Sequence, residues 1–198
     1  MIGYHFTGTA LRDGRPIPPI GEWLIHDGPV RMCASGLHYS LDPFDALTYA
    51  PGPFLHRVEV EDIVETQADK GLCRRRRILQ SADATEMLRY FARMQALSVA
   101  HLWDAPDIVL DYLMTGDEAS RAAAWNAAWA AAGAAAWAAA GAAAGAAAGA
   151  AAWDAAGAAA WAAAGAAAGA AARDAARAAA RDAARKDFND LVREGFGL

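Results

Sequence analysis

The chain has 198 residues, 21% of them charged, a formal net charge of −5 and two cysteines. That length fits one compact domain plus an extension. The acidic balance excludes a general electrostatic pull toward nucleic acid or an anionic membrane. Cys33 and Cys73 stand outside any C-x-x-C spacing, which points to a reduced, cytoplasmic protein.

In chain order, Ile2 to Phe6 is short, aromatic and β-prone, a predicted first strand. Asp13-Gly14 and Pro16-Ile17-Pro18-Pro19 force a loop. Glu22 to His26 alternates around Trp23 and Ile25 and predicts a second strand; Val30 to Cys33 predicts a third. After the turn at Gly36, Leu37 to Ser40 continues extended. Asp42-Pro43-Phe44-Asp45 is a helix start, with Asp as cap, Pro in the first turn and Asp45 near the positive end of the dipole. That helix, about 43–50, stops at Pro51-Gly52-Pro53. Phe54 to Val60 predicts a strong strand, with Leu55, Arg57 and Glu59 on one face and Phe54, His56, Val58 and Val60 on the other. A further strand pair is expected near 63–67 and 72–79. Asp83-Ala-Thr-Glu86 resembles a capping box and opens a helix to about Leu102, with Met87, Phe91, Met94 and Ser98 at core spacing. Asp104-Ala-Pro106 starts the next helix, which ends near Gly116, and Asp117 caps the Ala-rich repeat.

From Arg121 the sequence becomes a strict tetrad, three residues, mostly Ala, and then a marker, through Arg185. Ala is the best helix former, so helix is the default. The markers, Arg, Trp or Gly, advance by roughly 40° per step, so the tryptophans wind round the axis and no single apolar stripe forms. The segment is therefore either a hairpin, folding back near Gly141–Gly149, or a rod of roughly 100 Å. Ala127 to Trp153 lacks charge over a span long enough to cross a membrane. Its Ala and Gly residues give little transfer free energy, however, and Asp154 follows at once. The charge divides unevenly. Residues 1–120 hold 11 Lys/Arg against 17 Asp/Glu, and residues 121–198 hold 7 against 6. The expected organisation is an α+β head at 1–116, a small mixed or antiparallel sheet packed by two helices. An Ala-rich tetrad-repeat helical tail occupies 117–198.

Several motifs carry resemblances. Gly36-Leu37-His38-x-Ser40, then Asp42 to Gly52 and Val58-Glu59-Val60, look like a family of small phage, prophage and bacterial proteins with Ala-rich tails. That resemblance covers about residues 1–115 and implies no particular chemistry. Tyr4-His5-Phe6-Thr7, Gly36 to Ser40 and Ala46-Leu47-Thr48-Tyr49-Ala50 together resemble the ADP-ribosyltransferase fold over residues 2–61. The resemblance implies NAD as cofactor, with His5 bonding the nicotinamide ribose, Tyr39 stacking on nicotinamide, and Glu59 or Glu61 polarising the ribose. The family's glutamate normally comes later, on a distant strand. Beside this stands the plainer reading of His5 and Tyr39 as half-buried sheet residues with satisfied polar ends.

Arg74-Arg75-Arg76-Arg77 is a candidate anion-binding run. On a strand these arginines alternate faces, two each way, and Glu59, Glu61, Asp62, Glu65 and Asp69 are placed to pair with them. His26, Cys33, His38 and His56 show no metal-ligand spacing, so no metal is expected. The function expected first is a non-enzymatic interaction or regulatory module of phage or prophage type, whose Ala-rich tail provides spacing and whose helices meet a protein partner or self-associate. The alternatives are an NAD-using transferase-like enzyme and a membrane-associated helical hairpin protein.

Overall fold

The computed structural model describes residues 1–98, 100, 105–131 and 178–198. Five strands form one antiparallel sheet: β1 (Ile2–Thr7), β2 (Trp23–Ile25), β3 (Leu37–Tyr39), β4 (Phe54–Thr66) and β5 (Gly71–Asp83). With helices α1 (Pro43–Thr48), α2 (Thr85–Ser98) and α3 (Asp107–Thr115), the chain is α+β. Residues 121–131 and 178–196 are also helical.

The two long strands dominate the sheet. β4 and β5 are 13 residues each and pair with one another, β1 lies on the far side of β4, and both β2 and β3 lie on the far side of β5. β2 pairs with Arg75–Arg77 and β3 with Gly71–Cys73, so two short strands share one edge end to end. Just beyond β3, Ser40 bridges back to Tyr4 of β1 through two backbone hydrogen bonds of 2.7 and 2.9 Å. The hydrogen-bonded path β1–β4–β5–β3 thus returns to β1, and the sheet curls round an interior. Register shifts at Arg57/Val58 and Ile63/Glu65 supply the bending.

The curled sheet has a core on each face. On one, Phe6, Leu55, Ala46, Ala84, Phe188 and Val192 are buried, with Phe44 and Phe91 packed against them. On the other, Leu37, Tyr39, Val58, Val60, Cys73 and Ile78 form a second cluster. Strand alternation explains the division, because Tyr4 and Phe6 go to the first core while Gly3, His5 and Thr7 face the other way. α1 begins as its sequence predicts, with the Asp42 carboxylate accepting from the Phe44 N–H at 2.9 Å.

Some expectations are corrected. Val30 to Cys33 is not a strand: Arg31 and Ser35 bridge a tight turn, and Cys33 takes a left-handed φ of 62°. The expected short pair at 63–67 and 72–79 is the far end of the single β4–β5 hairpin. α2 is described over Thr85–Ser98, and its expected end near Leu102 lies outside the described residues; α3 starts after Pro106 without a side-chain cap.

The chain divides into two compact units. The first comprises Met1–Phe91 with Arg185–Leu198, the second Ala92–Ala184. The reason for the first is apolar. Phe188 and Val192, at i and i+4 on the last helical segment, are fully buried in the first unit's core. Within the second unit, Val109, Leu113 and Ala124 form a small cluster, and Trp125 stacks on Trp129 at 6.4 Å. The expected fold-back at Gly141–Gly149 lies outside the described residues. Among the described residues no helix is long and apolar enough to cross a membrane.

Candidate functional site

The inner face of the curled sheet carries polar residues where apolar ones would be ordinary. His5 of β1 is the register partner of His56 of β4. His56 is 1% exposed, and its Nε2 lies 2.8 Å from the Thr7 hydroxyl. Its Nδ1 is buried and makes no hydrogen bond. Arg76 of β5 reaches the same place, 6% exposed, donating to the main-chain carbonyl of His38. No carboxylate among the described residues pairs with this guanidinium. Burial lowers the Arg76 pKa to about 10, and burial followed by the Arg76 charge brings His56 down to about 4. His5 is held well below the usual imidazole value by burial and then by Arg76, and His38 is lowered by the same two causes.

Of these residues, His5, Thr7, His38 and Arg76 line an open groove of about 910 Å³. Arg12, Arg15, Lys70 and Arg76 line it against one carboxylate, Asp13, which is already tied to Arg15 at 2.7 Å. At the rim, Tyr49 hydrogen-bonds Asp69, and the Lys70 ammonium lies 4.6 Å from the Tyr49 ring centre. Hydrogen bonding to Tyr49, then to Cys33, raises the Lys70 pKa. His38 closes one side, its Nε2 accepting from the Cys33 N–H at 3.0 Å. Beneath the groove is a pit of about 10 Å³ lined by His5, Thr7, His56, Arg76 and the exposed Glu22. Among the described residues no group of three or more His, Cys, Asp or Glu side chains is placed to hold a metal ion.

The residues singled out in the sequence divide between two faces. His5, Tyr39 and Arg76 line the groove. Tyr39 is 2% exposed, its ring packed where a Cβ on Gly3 or Gly71 would stand, and its hydroxyl is buried without a partner. Glu59 and Glu61 line neither groove nor pit. They bind Arg77 and Arg75 at 2.6 Å each, and both guanidiniums lie over the Trp23 ring at 4.7 and 4.5 Å. The arginine run thus alternates as strand geometry requires, with Arg74 bonded to the carbonyls of His26 and Gly28. The acid–His–Tyr grouping implied by the transferase resemblance is not brought together. Among the described residues, the only Glu or Asp side chains lining the groove and pit are Asp13 and Glu22, with Asp69 at the rim, and none stands in the implied place.

Sequence reasoning passed over Thr7, His38, His56 and Lys70 as site residues. A signal existed in β4, where His56 interrupts the apolar face of Val58 and Val60. No curated protein and no solved structure matches the chain. Residues 1–90, which contain the whole sheet, the groove and its floor, match a family model described as a domain of unknown function, DUF7666.

Proposed function

We propose that the unit of residues 1–91 and 185–198 is a non-enzymatic ligand-binding module whose groove takes a small anionic molecule. The observation that carries this reading is the charge of the groove. Four Lys/Arg side chains face one occupied carboxylate on a chain whose net charge is −5. A cationic concavity with apolar walls raises the local concentration of anions and orients them. The placement of Glu59 and Glu61 in outward ion pairs favours binding over ribosyl transfer.

The test uses the anionic dye 8-anilinonaphthalene sulfonate with the full chain, alongside NAD and ADP-ribose by isothermal titration. Gly8 lines the groove, and a Cβ added there meets nothing within 4 Å. Gly8→Phe should therefore fill the groove without disturbing the fold. We expect saturable dye binding to the wild type and its loss in Gly8→Phe. Equal dye binding in both, or none in either, overturns the reading. Binding of NAD with slow release of nicotinamide would instead favour the transferase alternative.

The Ala-rich segment is proposed to serve self-association. Trp125 and Trp129 support this, stacked on one helix face and 68% and 73% exposed. Sedimentation of wild type against Trp125→Ala/Trp129→Ala checks it, with a monomeric wild type overturning it.

A further inference from the structure

We infer that the floor of the groove is a subsite for a tetrahedral oxyanion, the phosphoryl group of a small phosphorylated ligand. This rests on the reading of the groove as an anionic-ligand site and names the part of the ligand that the floor takes.

The first reason is the uncompensated charge of Arg76. A guanidinium buried to 6% exposure and bonded to a main-chain carbonyl carries a desolvation cost that a carboxylate would ordinarily offset. The described residues supply no such carboxylate, and a bound anion would be the counter-ion. The second reason is independent of Arg76. His56 Nδ1 is buried and unpartnered, on a ring whose Nε2 is already engaged by Thr7. In the tautomer in which the Thr7 hydroxyl donates to Nε2, the neutral ring carries its proton on Nδ1 and is a donor with nothing to donate to. Buried polar groups without partners are rare enough to need a cause.

The third reason is geometry. Arg76, His56 and His5 arrive from three different strands, β5, β4 and β1. Donors converging from several directions suit an anion with several oxygens better than a flat carboxylate, which a single guanidinium already satisfies. The pit of about 10 Å³ has room for about one oxygen, and the groove above it holds the rest of the ligand. Among the described residues Glu22 is the one carboxylate at the pit; it is exposed at the lip and forms no ion pair with Arg76.

The experiment is a titration of the full chain with inorganic phosphate at constant ionic strength, read from the ring resonances of His56 and His5. We expect saturable shifts with a Kd on the order of 1 mM, matched by sulfate and not by acetate. His56→Gln, which keeps an acceptor for Thr7, should weaken phosphate at least about tenfold while leaving thermal stability near wild type. Arg76→Gln should abolish binding. If that variant does not fold, the wild-type titration and His56→Gln still decide. Absence of shifts at 50-fold that Kd overturns the subsite, as does acetate acting like phosphate. Dye binding in the groove without any phosphate effect sinks the subsite alone, whereas loss of both sinks the groove reading with it.

Discussion

Arg185 donates to the Asp45 carboxylate at 2.7 Å across 140 residues of chain. The same guanidinium lies 3.3 Å from Asp42, and Asn189 donates to Asp42 at 2.6 Å while accepting from the Phe44 N–H. The first turn of α1 is thus capped twice, once by its own Asp42 and once by the far end of the chain. Phe188 and Val192 lie beneath these polar contacts, fully buried. Phe188→Ala should cost about 3–5 kcal/mol, the range for losing a buried aromatic ring. Arg185→Ala should cost only about 1 kcal/mol, because the pair is partly solvated. Urea unfolding of both variants checks the ranking; equal losses would mean that the ion pair, not the ring, docks this segment.

Tyr39 has the two glycines, Gly3 and Gly71, against its ring, and a Cβ on Gly3 would stand 2.9 Å from it. Gly71→Ala should destabilise the protein by about 1–3 kcal/mol through overpacking. Tyr39→Phe should be neutral or stabilising, since it removes a buried hydroxyl that has no partner. A loss above about 1 kcal/mol for Tyr39→Phe, measured by urea unfolding, would show that the hydroxyl is bonded after all.

The parts of this fold that were legible in the sequence are local. Asp42-Pro43 fixes the start of α1 by capping, and Gly116 ends α3 in a left-handed conformation with φ 71°. The alternation of Arg74 to Arg77, and the cross-strand pairing of Arg75 and Arg77 with Glu61 and Glu59, follow from a two-residue period. The β4–β5 hairpin was not legible at its true length. Bulges at Arg57/Val58 and Ile63/Glu65 shift the alternation, and Asp62 takes a φ of 52°, so one strand reads as two. The turn at Arg31–Ser35 was missed because its residues, including Cys33 at φ 62°, lack the glycine that normally marks such backbone. The floor of the groove depends on register. His5 meets His56 only because β1 pairs antiparallel with β4 at that offset, and composition carries no trace of it.

The outward ladder of Glu59, Arg77, Trp23, Arg75 and Glu61 should prove structural and mild. Its ion pairs are partly exposed, with arginine side chains 35–36% accessible. Each such pair is worth about 0–1 kcal/mol, with a further contribution of roughly 0.5–1 kcal/mol from guanidinium stacking on the indole. Glu59→Gln/Glu61→Gln should therefore leave dye binding in the groove unchanged and lower stability by no more than about 2 kcal/mol. A large drop in ligand affinity with preserved stability would return these carboxylates to the site.

Acid should weaken the protein before its carboxylates titrate, and His56 should be the main cause. Its folded-state pKa is about 4, against about 6.5 for a free imidazole, with burial the first cause and the Arg76 charge the second. Between those values the unfolded chain binds more protons than the folded one, so stability rises with pH across that window. It is fully present above about pH 6.5 and is lost as the pH falls toward 4. Over the whole window His56 alone contributes on the order of 3 kcal/mol. His5 and His38, both lowered, push in the same direction. Asp13, Asp83 and Asp190, whose pKa values are lowered by hydrogen bonds to Arg15, Thr85 and Lys186, lose their contribution only at still lower pH. Urea unfolding at several pH values from about 7 to about 4 should show a fall in wild-type stability that His56→Gln makes much shallower. Parallel curves for the two proteins would mean that the imidazole of His56 is solvated in the folded state. The buried floor of the groove would then be wrong at its central residue.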